Sequence, residues 1–482
     1  MSLKQDIVNA TFWGMLDSFG SKITRFIIGI FLARLLFPEE LGQIAMVYIF
    51  FECASILINS GFQAALVQKK NVTVEDQNSV FYLNVSIAIF VGFVLFLFSE
   101  SIAIFFETPV LTDVVRVLSF VPLINAISIV HIAVFHKKMD FRTMFFANFS
   151  GILFSGVVCL MMAANGFGIW SLVAQQVLYP MVTTSVFFFK SPFRPSLIFS
   201  WSAIRQLSDF SLNLLLADLI NKLFSGLYFV VIGKFYSAAM LGFYARADGL
   251  MKFPSLALNS VLSRVMFPAA ARVKDDKQKV KQIGKKTLGV TAFAIFPLMS
   301  FLSASAENFI PFLLTEKWNF TIGLFSLLCL VGAVHNLSEI NLDLLQSLGR
   351  ARTLLKLQVF HKCLVVIGLL LTFDLGLFFI IYGQIAMTIV MFAASSHVTG
   401  KFTGYGLYEQ LCDCFPYILY SLLIFVLAKT VTHFFVYSNF VEFLLQLMVC
   451  GITYFMLLSC MKDSKLTELK ILIKNMIVNK KS

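Results

Sequence analysis

Charge is scarce in this chain: only 13% of its 482 residues are Asp, Glu, Lys or Arg, while 59% are hydrophobic. So few charged side chains cannot clothe a soluble surface, and the mean hydropathy of +0.85 places the chain in a membrane. Proline is sparse, 11 residues against 55 Phe. The apolar runs do not alternate polar and apolar positions as barrel strands do, so they are read as lipid-facing helices. Long polar segments are missing as well. Fourteen crossings of about 22 residues use about 308 and leave roughly a dozen for each loop or tail. No loop is large enough for a folded catalytic domain, which excludes a soluble enzyme. It also weakens any membrane enzyme that works through a large external loop.

The eight Cys lie mostly inside apolar runs and never recur with His at metal-ligand spacing, so neither a disulfide framework nor a metal site is implied. Cys412 and Cys414, one residue apart, read as ordinary thiols. No cofactor motif and no catalytic constellation stands out. The formal charge of +12 is spread over short loops rather than gathered on one face, which excludes a nucleic-acid partner. The N-terminal stretch lacks the pattern of a cleaved leader, so the first helix is read as a retained anchor.

The hydrophobic runs predict an all-α polytopic membrane protein with about 14 transmembrane helices, the first near 10–33 and the last near 440–460. With the N-terminus in the cytoplasm, loop and tail Lys and Arg divide 26 to 5 in favour of that side. Both termini are therefore expected to be cytoplasmic. The tail after 460, with Leu466, Leu469, Ile473 and Met476 among lysines, reads as a basic amphipathic helix on the inner leaflet.

Sliding the chain against itself by 200 residues superposes Leu16, Lys22, Leu41, Gly42, Ala45, Ser55, Asn59 and Ser60 on identical residues at 216, 222, 241, 242, 245, 255, 259 and 260. Six crossings separate the copies, so they point the same way as a parallel repeat. The expected organisation is an N-lobe at 1–207 (helices 1–6), a C-lobe at 208–400 (helices 7–12), and two additional helices with the basic tail at 401–482.

Asp17, Lys22, Arg25, Glu52, Asp218, Lys222, Arg246, Asp248, Lys252, Glu339 and Asp343 fall within spans. In lipid each central one would cost about 2.5–3.5 kcal/mol, so they must face an interior. Lys22, Arg25, Lys222, Arg246 and Lys252 are the candidate anion-binding residues of a central cavity, with Lys22 and Lys222 at equivalent heights on opposing lobes. Asp17, Asp218, Asp248, Glu339 and Asp343 are candidates for ion coupling or for structural pairing. The spacing i, i+4 pairs Asp218 with Lys222 and Asp248 with Lys252, and sets His335, Glu339 and Asp343 on one face. Prolines 122, 180, 254, 268 and 297 fall in or at the ends of spans, where a missing amide donor permits a kink.

Several strings are familiar. LARLLFPEELGQ at 32–43, GFQAALVQKK at 61–70, RADGLMKFP at 246–254, SVLSRVMFPAAARVKDD at 260–276 and TEKW at 315–318 resemble the bacterial polysaccharide flippases. These are the Wzx-type lipid-linked oligosaccharide exporters of the multidrug/oligosaccharidyl-lipid/polysaccharide (MOP) superfamily, and the likeness is to the colanic-acid-exporter branch. The resemblance implies a two-lobe transporter of the inner membrane that moves undecaprenyl-pyrophosphate-linked repeat units from the cytoplasmic to the periplasmic leaflet. It implies a cationic cavity for the pyrophosphate, a prenyl tail left in the membrane lipids, and a polysaccharide polymerase and glycosyltransferases as partners. The alternatives are a multidrug or cation antiporter of the same superfamily, which needs a titrating or sodium-binding carboxylate in a largely apolar pocket, and a membrane glycan polymerase or ligase, which needs catalytic groups on a sizeable outer loop.

Overall fold

The computed structural model describes residues 3–59, 61–434 and 438–460, whose regular secondary structure is all helical, with no strand among them. The basic tail lies outside the described residues. By contacts the chain divides into two compact units, Met1–Gly242 and Phe243–Ser482.

The first unit opens with α1 (Leu3–Met15), a π-helical turn (Leu16–Gly20) and α2 (Ser21–Leu35). It continues through α3 (Pro38–Asn59), α4 (Phe62–Gln68), α5 (Val74–Leu97), α6 (Ser99–Phe105), α7 (Leu111–Leu118) and α8 (Val121–Lys137). α9 (Phe141–Ala164), α10 (Ile169–Lys190) and α11 (Trp201–Phe235) follow. The boundary falls near the start of α12 (Ala238–Arg272). Beyond it come α13 (Lys277–Ala304), α14 (Ala306–Leu314), α15 (Phe320–Ser347), α16 (Ala351–Thr372), α17 (Leu377–Thr403), α18 (Leu407–Phe434) and α19 (Asn439–Cys460).

Among the described residues, twelve helices are long and apolar enough to cross a membrane. That differs from the fourteen read from the sequence. The expected first span, 10–33, and eighth span, 242–268, are helical, but they are the ones that carry Asp17, Lys22 and Arg25, and Arg246, Asp248 and Lys252, which dilute their hydropathy. Charge density, not loss of helix, sets these two apart.

The 200-residue repeat recurs in the backbone. α2 stops at Leu35 and α3 restarts at Pro38, and α11 stops at Phe235 and α12 restarts at Ala238. The match extends to reciprocal close packing. A Cβ on Gly42 would overlap the carbonyl oxygen of Ala238, and one on Gly242 would overlap that of Pro38. Only glycine admits this approach, as between small residues in membrane helix packing.

Apolar burial gives little drive between helices already in lipid, so packing and polar contacts hold each unit. In the first unit, Ile28, Leu32 and Leu36 recur every four residues and pack on Ile152, Cys159 and Ala163 of α9 and on Leu172 of α10. In the second, Asn341 of α15 donates from Nδ2 to Gln410 Oε1 at 3.0 Å, and Gln410 Nε2 donates back to Asn341 Oδ1 at 2.8 Å. Ser396 of α17 donates to Gln410 at 2.8 Å and closes a fully buried triangle. Each such bond contributes roughly 0.6 kcal/mol in a bilayer.

Pro122 stands in the first turn of α8, Pro180 inside α10, Pro254 and Pro268 inside α12 and Pro297 inside α13. The loop before α13 ends on Asp276, whose carboxylate caps that helix by accepting from the Gln278 and Lys279 amides, both at 3.1 Å. The Lys279 backbone bond first, and the Lys279 side chain after it, hold the Asp276 carboxyl below its usual range.

Candidate functional site

The first unit builds its candidate site on α3, whose two faces differ in chemistry. Ile44, Val47, Tyr48, Phe51, Glu52 and Ser55 recur at helical spacing and line a cavity of about 140 Å³. Asn125 of α8 and Gln176 of α10 close it from the other side. The opposite face presents Ile49, Phe50, Cys53, Ala54 and Leu57 to an almost wholly apolar groove of about 720 Å³, shared with α5 and α6. The helix thus stands between a cavity with polar groups in its wall and an apolar groove.

Lys222 reaches this region from α11. Its Nζ lies 2.8 Å from Glu52 Oε2 and 5.2 Å from the centroid of the Tyr48 ring. The pairing expected from spacing, Lys222 with Asp218, therefore gives way to a pair between helices. Lys222 is neutralised by α3, and Asp218 is exposed in a second cavity of about 450 Å³, which Asn59, Gln63, Gln68 and His136 also line. α11 belongs to the same contact unit as Lys22.

The other cations of this unit sit differently. Lys22 is exposed and has no ion-pair partner among the described residues. The Arg25 guanidinium lies 4.5 Å from the centroid of the Tyr179 ring on α10. Tyr179 donates to Asn148 Oδ1 at 3.3 Å, and Asn148 Nδ2 donates to Asp17 at 2.9 Å. Asp17 belongs to the π-helical turn, where the widened backbone places its carboxylate against α9. It is thus held by an amide, not by Lys22 or Arg25.

In the second unit Asp248 and Lys252 form the pair expected from their spacing, at 2.7 Å, with Asp248 buried and Lys252 half exposed. Glu339 faces His335 at 3.7 Å one turn away on α15. Asp343 accepts a hydrogen bond from the Ser263 hydroxyl of α12, so it is bonded outside the His335–Glu339 pair. Arg246 stands apart. Its Nε and Nη2 are shut off from solvent and have no hydrogen-bond partner among the described residues. Cys412 is exposed and Cys414 buried, as residues two apart on a helix face opposite ways, and neither is in a disulfide.

The family described as Polysaccharide biosynthesis protein matches residues 31–322, more than half of the chain. The chain belongs to this family. The match spans α3, α11 and α12, and so holds every paired or orphaned cation named above except Lys22 and Arg25. The resemblance read from 32–43 and 246–254 to Wzx-type flippases of the MOP superfamily holds.

Among relatives of this polysaccharide biosynthesis family, the lipopolysaccharide biosynthesis protein WzxC of Escherichia coli K12 is 26% identical, with 76% of this chain and 75% of the relative aligned. The succinoglycan biosynthesis transport protein ExoT of Rhizobium meliloti is 25% identical over 71% of this chain and 69% of its own. The teichuronic acid biosynthesis protein TuaB of Bacillus subtilis is 26% identical over 62% of each. In fold the chain is similar to the lipid II flippase MurJ in an inward closed conformation, with a TM-score of 0.77, 13% identity, and 94% of this chain and 98% of that one covered. An inward-facing multidrug resistance MATE transporter of the MOP superfamily follows at a TM-score of 0.62 and 14% identity, covering 80% and 96%.

Within this family member, sequence reasoning missed the Glu52–Lys222 pair and the amides of Asn125 and Gln176. The first joins residues far apart in the chain. The second are neutral, so a search for intramembrane charge passes over them, although uncharged amides inside spans are themselves a readable signal.

Proposed function

We propose that this protein is a transporter, not an enzyme. On this reading it flips undecaprenyl-pyrophosphate-linked polysaccharide repeat units from the cytoplasmic to the periplasmic leaflet of the bacterial inner membrane. It does so by alternating access through a cationic central cavity, with both termini cytoplasmic. One observation carries the reading: Nε and Nη2 of Arg246 are buried without acceptors. These two nitrogens form one edge of the guanidinium, the edge that grips two phosphate oxygens side by side. Left empty, each buried donor costs about 1–3 kcal/mol; a pyrophosphate supplies the missing acceptors. Lys22 and Arg25, which form no ion pair among the described residues, add positive charge. Lys222 and Lys252 are neutralised by Glu52 and Asp248 and serve as structural partners.

The test is flipping of a fluorescent polyprenyl-pyrophosphate oligosaccharide by the full chain in proteoliposomes. Arg246→Ala is expected to lower the rate about tenfold or more, the loss of charge-assisted bonds worth ~1.5–3 kcal/mol, at unchanged protein incorporation. Arg246→Lys keeps the charge but not the edge, and is expected to restore only part of the rate. A full rate in Arg246→Ala overturns the assignment.

A further inference from the structure

The cavity of the first unit takes no part in gripping a pyrophosphate on the reading above, yet a set of polar side chains stands among the apolar residues of its wall. Its volume of about 140 Å³ is close to the roughly 150 Å³ that encloses a single six-membered ring. The side chains of Asn125 and Gln176 face it from α8 and α10 and form no hydrogen bond within the described structure. Each amide offers two donors and an acceptor with two lone pairs. Ser55 adds a hydroxyl, and Glu52 an acceptor. Tyr48 and Phe51 bring flat apolar rings beside these polar groups.

Charge narrows the class of ligand. Glu52 is the carboxylate in the lining, and Lys222 at 2.8 Å cancels it. A cationic drug finds no net negative charge here, and an anion meets Glu52. What remains is a neutral ring with one apolar face and a fringe of hydroxyls that both donate and accept. We infer that this cavity is a saccharide subsite, with Asn125 and Gln176 as the residues that read the sugar hydroxyls and Tyr48 and Phe51 as the surface for the ring's C–H face. The inference rests on the lipid-linked glycan reading above and names where one sugar of the repeat unit is recognised.

The experiment compares two probes on the detergent-solubilised full chain: a short-chain polyprenyl pyrophosphate carrying a sugar, and the same lipid without it. The wild type is expected to bind the glycosylated probe about fivefold or more tightly, the effect of one or two hydrogen bonds. Gln176→Leu, at an exposed position that tolerates change, is expected to abolish that preference and leave affinity for the bare lipid unchanged. Asn125→Leu is expected to do the same, and Ser55→Ala gives an independent variant should Asn125→Leu fail to fold. Equal binding of both probes by the wild type, or a preference that survives Gln176→Leu, overturns the subsite while leaving the flippase reading intact. Binding of neither probe overturns both. A lipophilic cation whose binding is lost in Glu52→Gln overturns the saccharide assignment in favour of a cation site.

Discussion

Gly42 and Gly242 carry a constraint that no other side chain meets, because the obstacle on each side is backbone. The carbonyls of Ala238 and Pro38 stand where a Cβ would go, and neither can rotate away as a flexible side chain would. Gly42→Ala and Gly242→Ala are each expected to destabilise by about 3 kcal/mol or more, at the upper end for overpacking. The check is a lowered thermal midpoint in detergent. Gly249→Ala is the control: no atom stands within 4 Å of its Cβ, and helix propensity alone should hold or slightly raise the midpoint. At this scale the sequence named the pair of glycines through the repeat but not the contact, since identity at an offset says that two sites are alike and not that they touch. Lys222 teaches the complementary lesson. Spacing offered Asp218 on its own helix, whereas the shorter reach is across to Glu52.

Helix α3 shows what an element can do that a residue cannot. A single helix with polar positions at 48, 52 and 55 and apolar positions at 49, 50, 53 and 57 divides a cavity with polar groups in its wall from an apolar groove. This division is legible in the sequence by helical arithmetic, but which neighbours close each side is not. The helix end at Asp276 yields a prediction of pH dependence. Its folded carboxyl titrates below the unfolded value, so its capping stabilises α13 fully above the ordinary Asp pKa of about 3.9. That stabilisation is lost as pH falls through the depressed folded value. Faster amide exchange in the first turn of α13 is expected on acidification, and Asp276→Asn, which keeps an acceptor without the titrating group, is expected to flatten the profile. An unaltered pH profile in Asp276→Asn would place the loosening elsewhere.

For the whole molecule, the proposed orientation rests on the 26 to 5 division of Lys and Arg among loops and tails. Lys317→Cys, placed in a variant free of its native cysteines, is expected to react with a membrane-impermeant maleimide added to intact cells. Lys401→Cys is expected to react only after permeabilisation. The reverse pattern would invert the proposed topology and with it the direction of flipping. The sequence by itself determined the all-helical membrane class, the 200-residue offset at which the helix breaks recur, and the family. Those depend on composition, run length and offset identity, which are properties of the string. Tertiary structure alone decided which interior charges cancel, leaving Lys222 and Lys252 neutralised and Arg246 with unfilled donors. It also decided that Asn125, Gln176 and α3 converge on one cavity. Helical spacing reports only neighbours on the same helix, whereas a charge inside a membrane is settled by whichever opposite group lies nearest in space.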